Sequence, residues 1–397
     1  MSKGTILYIG GFELPDRNAA AHRVLSNGMI MRDLGYDVVF LGIDSTRIGK
    51  PEILRNDYLG FECWSITYPK DVLAWLKYIL GLTSILDFIL RERTIKIVGV
   101  VCYNYPSVAQ ARIKSLCKRI GAKMIADATE WYSVGAGSGV YRIVKLLDTA
   151  LRMYIVHRIA DGVITTSKYL TEFYAHRGKV TVELPTLFNC EKFQPPPSRD
   201  NTQRKKFIYV GSPFDKGRVN KARSNLKERL DVAIEVFYQI YISGRRFSFE
   251  IYGVDADDYL EIFPEHADIL KEMAECIVFK GRQPNQFVLN RIAECDFSIF
   301  FRDETRVTLA GFPSKLAESI SCGTPVVTNK MVSLESYLPH ESLFTTARGD
   351  EHILVRKIME LTPVEINYLK QHAYHSMTFD YKNYSDRVSV FMAEVVV

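Results

Sequence analysis

The chain has no Cys-x-x-Cys pair, no unbroken apolar run long enough to cross a bilayer, no Gly-x-Gly-x-x-Gly loop and no low-complexity tract. Each absence removes a class of protein. Seven scattered cysteines argue against a zinc module and fit a reducing compartment. A bilayer span takes about 20 consecutive apolar residues. The nearest approach, residues 72–90, is interrupted by Lys77, Thr83, Ser84 and Asp87 and reads as a buried or half-buried helix. The first residues run directly into a strand pattern, "TILYIG", which is not the form of a signal peptide. Without the glycine fingerprint a nicotinamide site is not expected, and Asp44 after the second strand is a weak ribose ligand. Net charge is also small, +5, which permits a basic groove for an anionic ligand without calling for nucleic acid.

What is present is a 397-residue chain with 47% hydrophobic and 24% charged residues, the balance of a soluble globular protein of two domains. Short β-branched runs alternate with helical patterns, the mark of parallel sheets built from βαβ units. In the first half the strands read as "TILYIG", "DVVFLGI", "FECWSITYP", "IKIVGVVCYN", "KMIADAT", "GVITTS" and "VTVELP". In the second they read as "FIYVG", "FSFEIYG", "CIVFKG", "DFSIFF", "PVVTN" and "SLFTT". Between them "NCEKFQPPPSRDNTQRKK" has the three prolines of a semi-rigid linker, which sets a boundary near residue 195. The predicted domains are 1–195 and 196–375, with a last helix over 376–397 crossing back to the first. In doubly wound sheets ligands bind outside the carboxyl ends of the strands, so the loops that follow strands carry the search.

Three such loops stand out. In "YIGGFELPDRNAAAHRV", Gly10 and Gly11 allow close backbone approach before a helix start that favours phosphate. In "YVGSPFDKGRVNKARSNLKERLD", Gly211 and Ser212 follow the strand, and six cations and one acid lie between Lys216 and Arg229, a composition suited to a diphosphate. In "GFPSKLAESISCGTPVV", Ser314 and Lys315 fall in the first turn of a helix, where amides are unpaired. Glu318, one turn later, leans toward the helix mouth, where its carboxylate reaches a vicinal diol such as a ribose. "DADD", residues 255–258, has a metal-like Asp-x-Asp spacing but reads as an acidic helix start, so no metal is expected. His372 and His375 share a helix face without a third ligand nearby. Residues 140–162 place Arg142, Lys145, Arg152 and Arg158 among apolar positions at near-helical spacing, the pattern of a basic helix on an anionic membrane or of a solvated helix face.

Together these loops resemble the GT-B glycosyltransferases of the retaining glycosyltransferase 4 type, over essentially the whole chain and best over residues 207–330. The match is to the transferases of bacterial capsule, O-antigen and exopolysaccharide assembly. The resemblance implies an α/β protein with two Rossmann-like doubly wound domains and a cleft between them. Its donor is a nucleotide diphosphate sugar, its acceptor a glycan or lipid-linked glycan, and it uses no cofactor and no metal. It implies a cytoplasmic location with peripheral contact to the inner face of the plasma membrane. By the same resemblance Glu318 binds the ribose, and Lys227, with Lys216 as the alternative, binds the diphosphate. Gly281 and Arg282 hold the base through their backbone, and Gly11, Gly211, Ser212, Ser314 and Lys315 complete the donor site. The sequence departs from the family where its first glutamate is Ala310 and where an arginine after the glycine turn is Ser212. Arg302 or Arg306 is then the candidate for the missing charge. Asp127 stands where a histidine is usual, so Asp127 or Glu130 is the candidate to meet the acceptor hydroxyl. Two other outcomes share these features: a nucleotide-sugar epimerase or hydrolase, and a binding subunit without turnover.

Overall fold

A computed structural model describes residues 2–15, 19–46, 54–69, 72–81, 96–131, 139–199, 204–214, 226, 228–337 and 340–396. Lys216, Lys227 and residues 82–90 of the first apolar segment lie outside them. The chain divides into two compact units. One is Met1–Asn189 with Ala310–Phe312 and Asp380–Val397; the other is Cys190–Leu309 with Pro313–Phe379.

The first unit is built on an eight-stranded sheet. Its strands are β1 (Thr5–Gly10), β2 (Asp37–Asp44), β3 (Leu54–Tyr58), β4 (Phe61–Thr67), β5 (Ile97–Tyr103), β6 (Lys123–Ala128), β7 (Gly162–Thr165) and β8 (Val180–Glu183), in the order β3-β4-β2-β1-β5-β6-β7-β8. All pairs are parallel except the β3–β4 hairpin. Helices α1 (Ala19–Asp33), α2 (Val72–Ile79), α3 (Ser107–Ile120), α4 (Gly139–Leu151) and α5 (Lys168–Ala175) fill the crossovers. Past α4 the helix widens into a π turn, Arg152–Val156, and ends at Ile159. A parallel strand covered on both faces must be apolar throughout, and every residue of "TILYIG" is buried. Alternation then divides it: Leu7 and Ile9 join the core under α2, α3 and α5, while Ile6 and Tyr8 join the core under α1.

The strands read from the sequence are all present, and one was missed. β3 is "LRNDY", largely exposed and polar, paired antiparallel to β4 at the sheet edge.

The second unit has a six-stranded, all-parallel sheet: β9 (Lys205–Val210), β10 (Phe247–Tyr252), β11 (Ile277–Gly281), β12 (Phe297–Ile299), β13 (Val326–Asn329) and β14 (Leu343–Thr346), ordered β11-β10-β9-β12-β13-β14. Its helices include α6 (Leu230–Ile242), α7 (Ala256–Ile262), α8 (Asn285–Glu294), α9 (Ser314–Ser321), α10 (Glu351–Ile358) and α11 (Pro363–Ser376). A ring cluster of Phe207, Phe237, Phe247, Phe249 and Phe297 fills one face, with Phe237 and Phe249 centroids 4.5 Å apart. Helix α11 starts on a capping box: Thr362 accepts from Glu365 N, and the Glu365 carboxylate accepts from Thr362 N. The last helix, α12 (Ser385–Val395), belongs to the first unit, where Val388, Phe391, Met392 and Val395 enter the core under α1. All seven cysteines are buried, and none is in a disulfide.

Candidate functional site

In the second unit the chain leaves β9 toward β10 and β11, then returns to build β12 to β14 on the other side. The order therefore reverses between β9 and β12, the place outside whose carboxyl ends doubly wound sheets bind their ligands. Gly211 follows β9, and its amide donates to Tyr252 O at 2.8 Å. Gly253 follows β10 and donates to Gly281 O at 2.8 Å. All three glycines have positive φ, +133°, +98° and +59°. At Gly253 the absence of a side chain is required, because a Cβ there would stand 2.7 Å from the Gly211 carbonyl carbon.

This bare backbone leaves space for Lys315 from the first turn of α9. Its ammonium donates to Glu228 and lies 4.9 Å from the Tyr209 ring centroid. Glu228 is buried just before α6. It also accepts from Tyr209 OH at 2.8 Å and from Arg302 Nη2 at 3.2 Å. Burial raises the Glu228 pKa, but Lys315 and Arg302 outweigh it and hold the carboxyl at about 2. Two cations thus flank the Glu228 carboxylate, and Glu318 is a second acid that interacts with Lys315. Arg302 follows β12 and is 2% exposed. Its backbone is pinned by Asn329, which accepts from Arg302 N at 2.8 Å and donates to Arg302 O at 2.9 Å. Among the described residues its Nε and Nη1 have no hydrogen-bond partner. A buried, unpaired guanidinium N–H costs free energy unless an acceptor arrives.

Glu318 is half-buried one turn into α9, with no hydrogen bond to its carboxylate among the described residues. Burial raises its pKa, Lys315 lowers it and Glu228 raises it. The helix begins at Pro313, which supplies no side-chain cap; Leu316 N donates to Pro313 O at 3.0 Å, and the Ser314 and Lys315 amides precede any intrahelical acceptor. Ser314 is half-buried, Ser212 is exposed with its hydroxyl donating to Phe214 O at 2.6 Å, and Arg282 is exposed beyond buried Gly281. Arg306 opens a short helix, Arg306–Ala310, with its side chain exposed. Asp255 precedes α7 as the helix start read from "DADD". Among the described residues no three His, Cys, Asp or Glu side chains converge on one point.

In the first unit Gly11 is half-buried, and a Cβ there would meet nothing within 4 Å. Asp127, at the end of β6, is a correction to the sequence reading. It is fully buried and salt-bridged to Arg23, with Nη2 to Oδ1 at 2.7 Å. Tyr8 OH donates to Oδ2 at 2.5 Å, and Arg23 Nη1 donates to Leu184 O at 2.6 Å. With no exposed oxygen, Asp127 cannot meet an acceptor hydroxyl; it is a core ion pair joining α1, β1, β6 and the end of β8. Glu130, three residues on, is half-buried. Arg152, read as one cation of a basic helix that lies on an anionic membrane or presents a solvated face, is likewise buried.

No family model and no curated protein sequence matches the chain. Solved structures do. A sucrose-phosphate synthase from Thermosynechococcus elongatus aligns over 99% of this chain and 99% of its own, with a TM-score of 0.68 and 14% identity. HepE of Anabaena, in complex with UDP, aligns over 98% and 99%, with a TM-score of 0.62 and 12% identity. The lipopolysaccharide outer core galactosyltransferase WaaB, in its apo form, aligns over 97% and 99%, with a TM-score of 0.57 and 14% identity. These likenesses define the fold: the chain has the GT-B architecture of two parallel-stranded α/β halves.

Proposed function

We propose that the protein is a glycosyltransferase that moves a sugar from a nucleotide diphosphate sugar to a glycan or lipid-linked glycan. The observation that carries this reading is Arg302. It is a buried guanidinium with two unpartnered nitrogens, beside Lys315, at the point where the strand order of the second sheet reverses. Phosphate oxygens are the acceptors that such donors fit. The second unit is assigned to the donor and the first to the acceptor. Glu318 takes the ribose hydroxyls, and the first amides of α9 with Lys315 and Arg302 take the diphosphate, together with Lys227. Gly211, Ser212, Gly281 and Arg282 frame the nucleoside, and Gly11 and Arg306 are the further candidates for the donor sugar. Glu130 replaces Asp127 as the candidate for the acceptor hydroxyl.

In this reading the negative charge that grows on the leaving diphosphate meets preorganised N–H donors, which stabilise the transition state more than the ground state. Transfer with retention, without a metal, follows the resemblance to the retaining type, as does a role in surface polysaccharide assembly at the cytoplasmic side of the membrane. HepE is a neighbour solved with UDP, which makes UDP-sugars the first donors to try. A second reading, a subunit that binds donor without turnover, has one observation in its favour: Ala310 occupies the position of the family's first glutamate and, packed in the apolar core, brings no carboxylate there.

One experiment separates these readings. Thermal shift with UDP, GDP, ADP and CDP sugars finds the donor, since a ligand that binds only the folded state raises the Tm. Product analysis with that donor, with and without glycan acceptors, follows. Transfer to acceptor supports the proposal; tight binding without turnover on any acceptor selects the silent subunit; absence of any nucleotide shift rejects both.

A further inference from the structure

We infer that a cavity at the amino end of the second sheet binds a phosphate group, free or carried by a small molecule, separately from the candidate donor site. The cavity has a volume of about 240 Å³, and Ser198, Arg199, Lys206, Glu294, Asp296 and Lys370 are among the residues that line it. One water needs only roughly 10–15 Å³, so a hydrated tetrahedral anion has ample room. Lys206 is the second residue of β9, and Asp296 directly precedes β12. Gly211 lies beyond the other end of β9, about 16 Å away along an extended strand.

Both carboxylates on the cavity are already taken. Arg199 Nη1 donates to Asp296 Oδ2, with both side chains buried, and the same oxygen accepts from Lys206 N at 2.7 Å. Glu294 pairs with Arg291, one turn earlier on α8. Two ammonium groups remain. Lys206 is half-buried, and among the described residues its side chain has no hydrogen bond or ion pair. Lys370, on α11, is 2% exposed. Its Nζ donates to Ala293 O at 2.8 Å and Cys295 O at 3.0 Å, and to no carboxylate.

Lys370 has a structural use as well. The two carbonyls belong to the α8 C-terminus, where a cation is stabilising. That use takes two of its three N–H donors. It explains neither the second lysine nor the space the two share. Burial brings the Lys370 pKa down to about 8; Cys295 raises it, Lys206 and Arg199 lower it, and Glu294 raises it. The cations around the cavity repel one another, and an anion set among them turns that repulsion into attraction. Phosphate oxygens take charge-assisted bonds from both lysines and from Arg199. Arg199 is held in place for this by Asn367 of α11, whose Oδ1 accepts from Arg199 N at 2.7 Å. The proline-rich segment, β9, α8 and α11 thus supply the site, all within the second unit. The inference stands apart from the donor chemistry, because phosphate binding is measured without turnover.

The test is thermal unfolding of the full chain during titration with inorganic phosphate at constant ionic strength. Exclusion of phosphate from the protein surface raises Tm steadily with concentration, whereas a site adds a component that saturates. The parent should show that component. Lys206→Gln keeps the stem and removes the charge, and should raise the midpoint concentration at least about tenfold. Its Tm without phosphate should equal or exceed the parent's, because a like charge beside Lys370 is gone. Lys206→Arg should restore the midpoint, and Arg302→Gln, at the candidate donor site, should leave it unchanged. Glycerol 3-phosphate in place of phosphate identifies the source: a lower midpoint assigns a phosphorylated small molecule, an equal or higher one free phosphate. A parent without a saturating component overturns the inference. So does a component that Lys206→Gln keeps, and one that Arg302→Gln abolishes, which would place the phosphate at the donor site.

Discussion

Lys315 folds back over Gly211: a methyl group placed on Gly211 would stand 2.9 Å from Lys315 Cε. The lysine thus reaches Glu228 only because residue 211 has no side chain, and φ of +133° there suits glycine alone. Gly211→Ala should lower stability by about 1–3 kcal/mol through backbone strain. It should also weaken nucleoside diphosphate binding by pushing Lys315 aside. Tm and calorimetric Kd on the same preparation check both effects.

Glu228 makes stability depend on acid. Its folded pKa of about 2 lies below the ordinary glutamate value of about 4.3. The unfolded chain binds the proton more readily, so the contribution is full above about pH 5 and is lost as pH falls toward the folded value. Its size is about 3 kcal/mol. Denaturant unfolding of the parent between pH 6 and pH 3 should show the loss, and Glu228→Gln should be less stable at pH 6 with a flatter profile. Equal slopes in both proteins would remove Glu228 from this role.

Much of this was legible in the sequence, and the omissions have physical causes. The parallel strands announced themselves because burial on both faces makes them continuous apolar runs. β3 did not, since "LRNDY" is an exposed edge and its turn is disguised. Leu59 and Gly60 both have positive φ, the two-residue hairpin geometry, yet leucine stands where asparagine, aspartate or glycine gives the usual signal. At the candidate site, Glu318 and Lys315 stood out in the sequence as first-turn residues of a helix that follows a strand, a placement the structure shares. Glu228 could not, because one acid within six cations reads as solvated, and only the fold turns it inward between Tyr209, Lys315 and Arg302. Asp127 misled for a related reason: it was put forward because it stands where the resembled family has a histidine, and the sequence did not show that Arg23, about a hundred residues earlier, pairs with it in the core.

Glu318→Gln should weaken the nucleoside diphosphate and the full donor alike. It keeps the size of the side chain and removes charge-assisted bonds worth roughly 1.5–3 kcal/mol. The change should appear as a raised KM with little change in Tm. Unchanged donor affinity would show that the ribose is held elsewhere.

Asp127→Asn should damage folding, not chemistry. Removing one partner of a buried pair costs about 3–5 kcal/mol because it strands Arg23 without a counter-ion. The Tm should drop, while kcat per folded molecule, measured well below that Tm, should be retained. A folded but inactive variant would restore Asp127 to the reaction.

Lys227→Ala should lower kcat as well as donor affinity, because a cation facing the leaving diphosphate counts more in the transition state. Lys216→Ala should behave as a surface change. Steady-state kinetics on the pair decides between them, and the opposite pattern would assign the diphosphate to Lys216. Chelation with EDTA should leave turnover of the parent unchanged if these cations suffice.

The chain passes between its two units at residues 189–190, 309–310, 312–313 and 379–380. The first unit is therefore made first and finished last. Phe391 and Val395 press on Gly162, where a Cβ would stand 2.7 Å from either side chain, so the space beside β7 is kept for the C-terminal helix. During synthesis the opening half of the protein must wait on the ribosome with that seam uncovered while the whole second unit is made. Loss of α12 would open the core of the unit whose strands were made long before it.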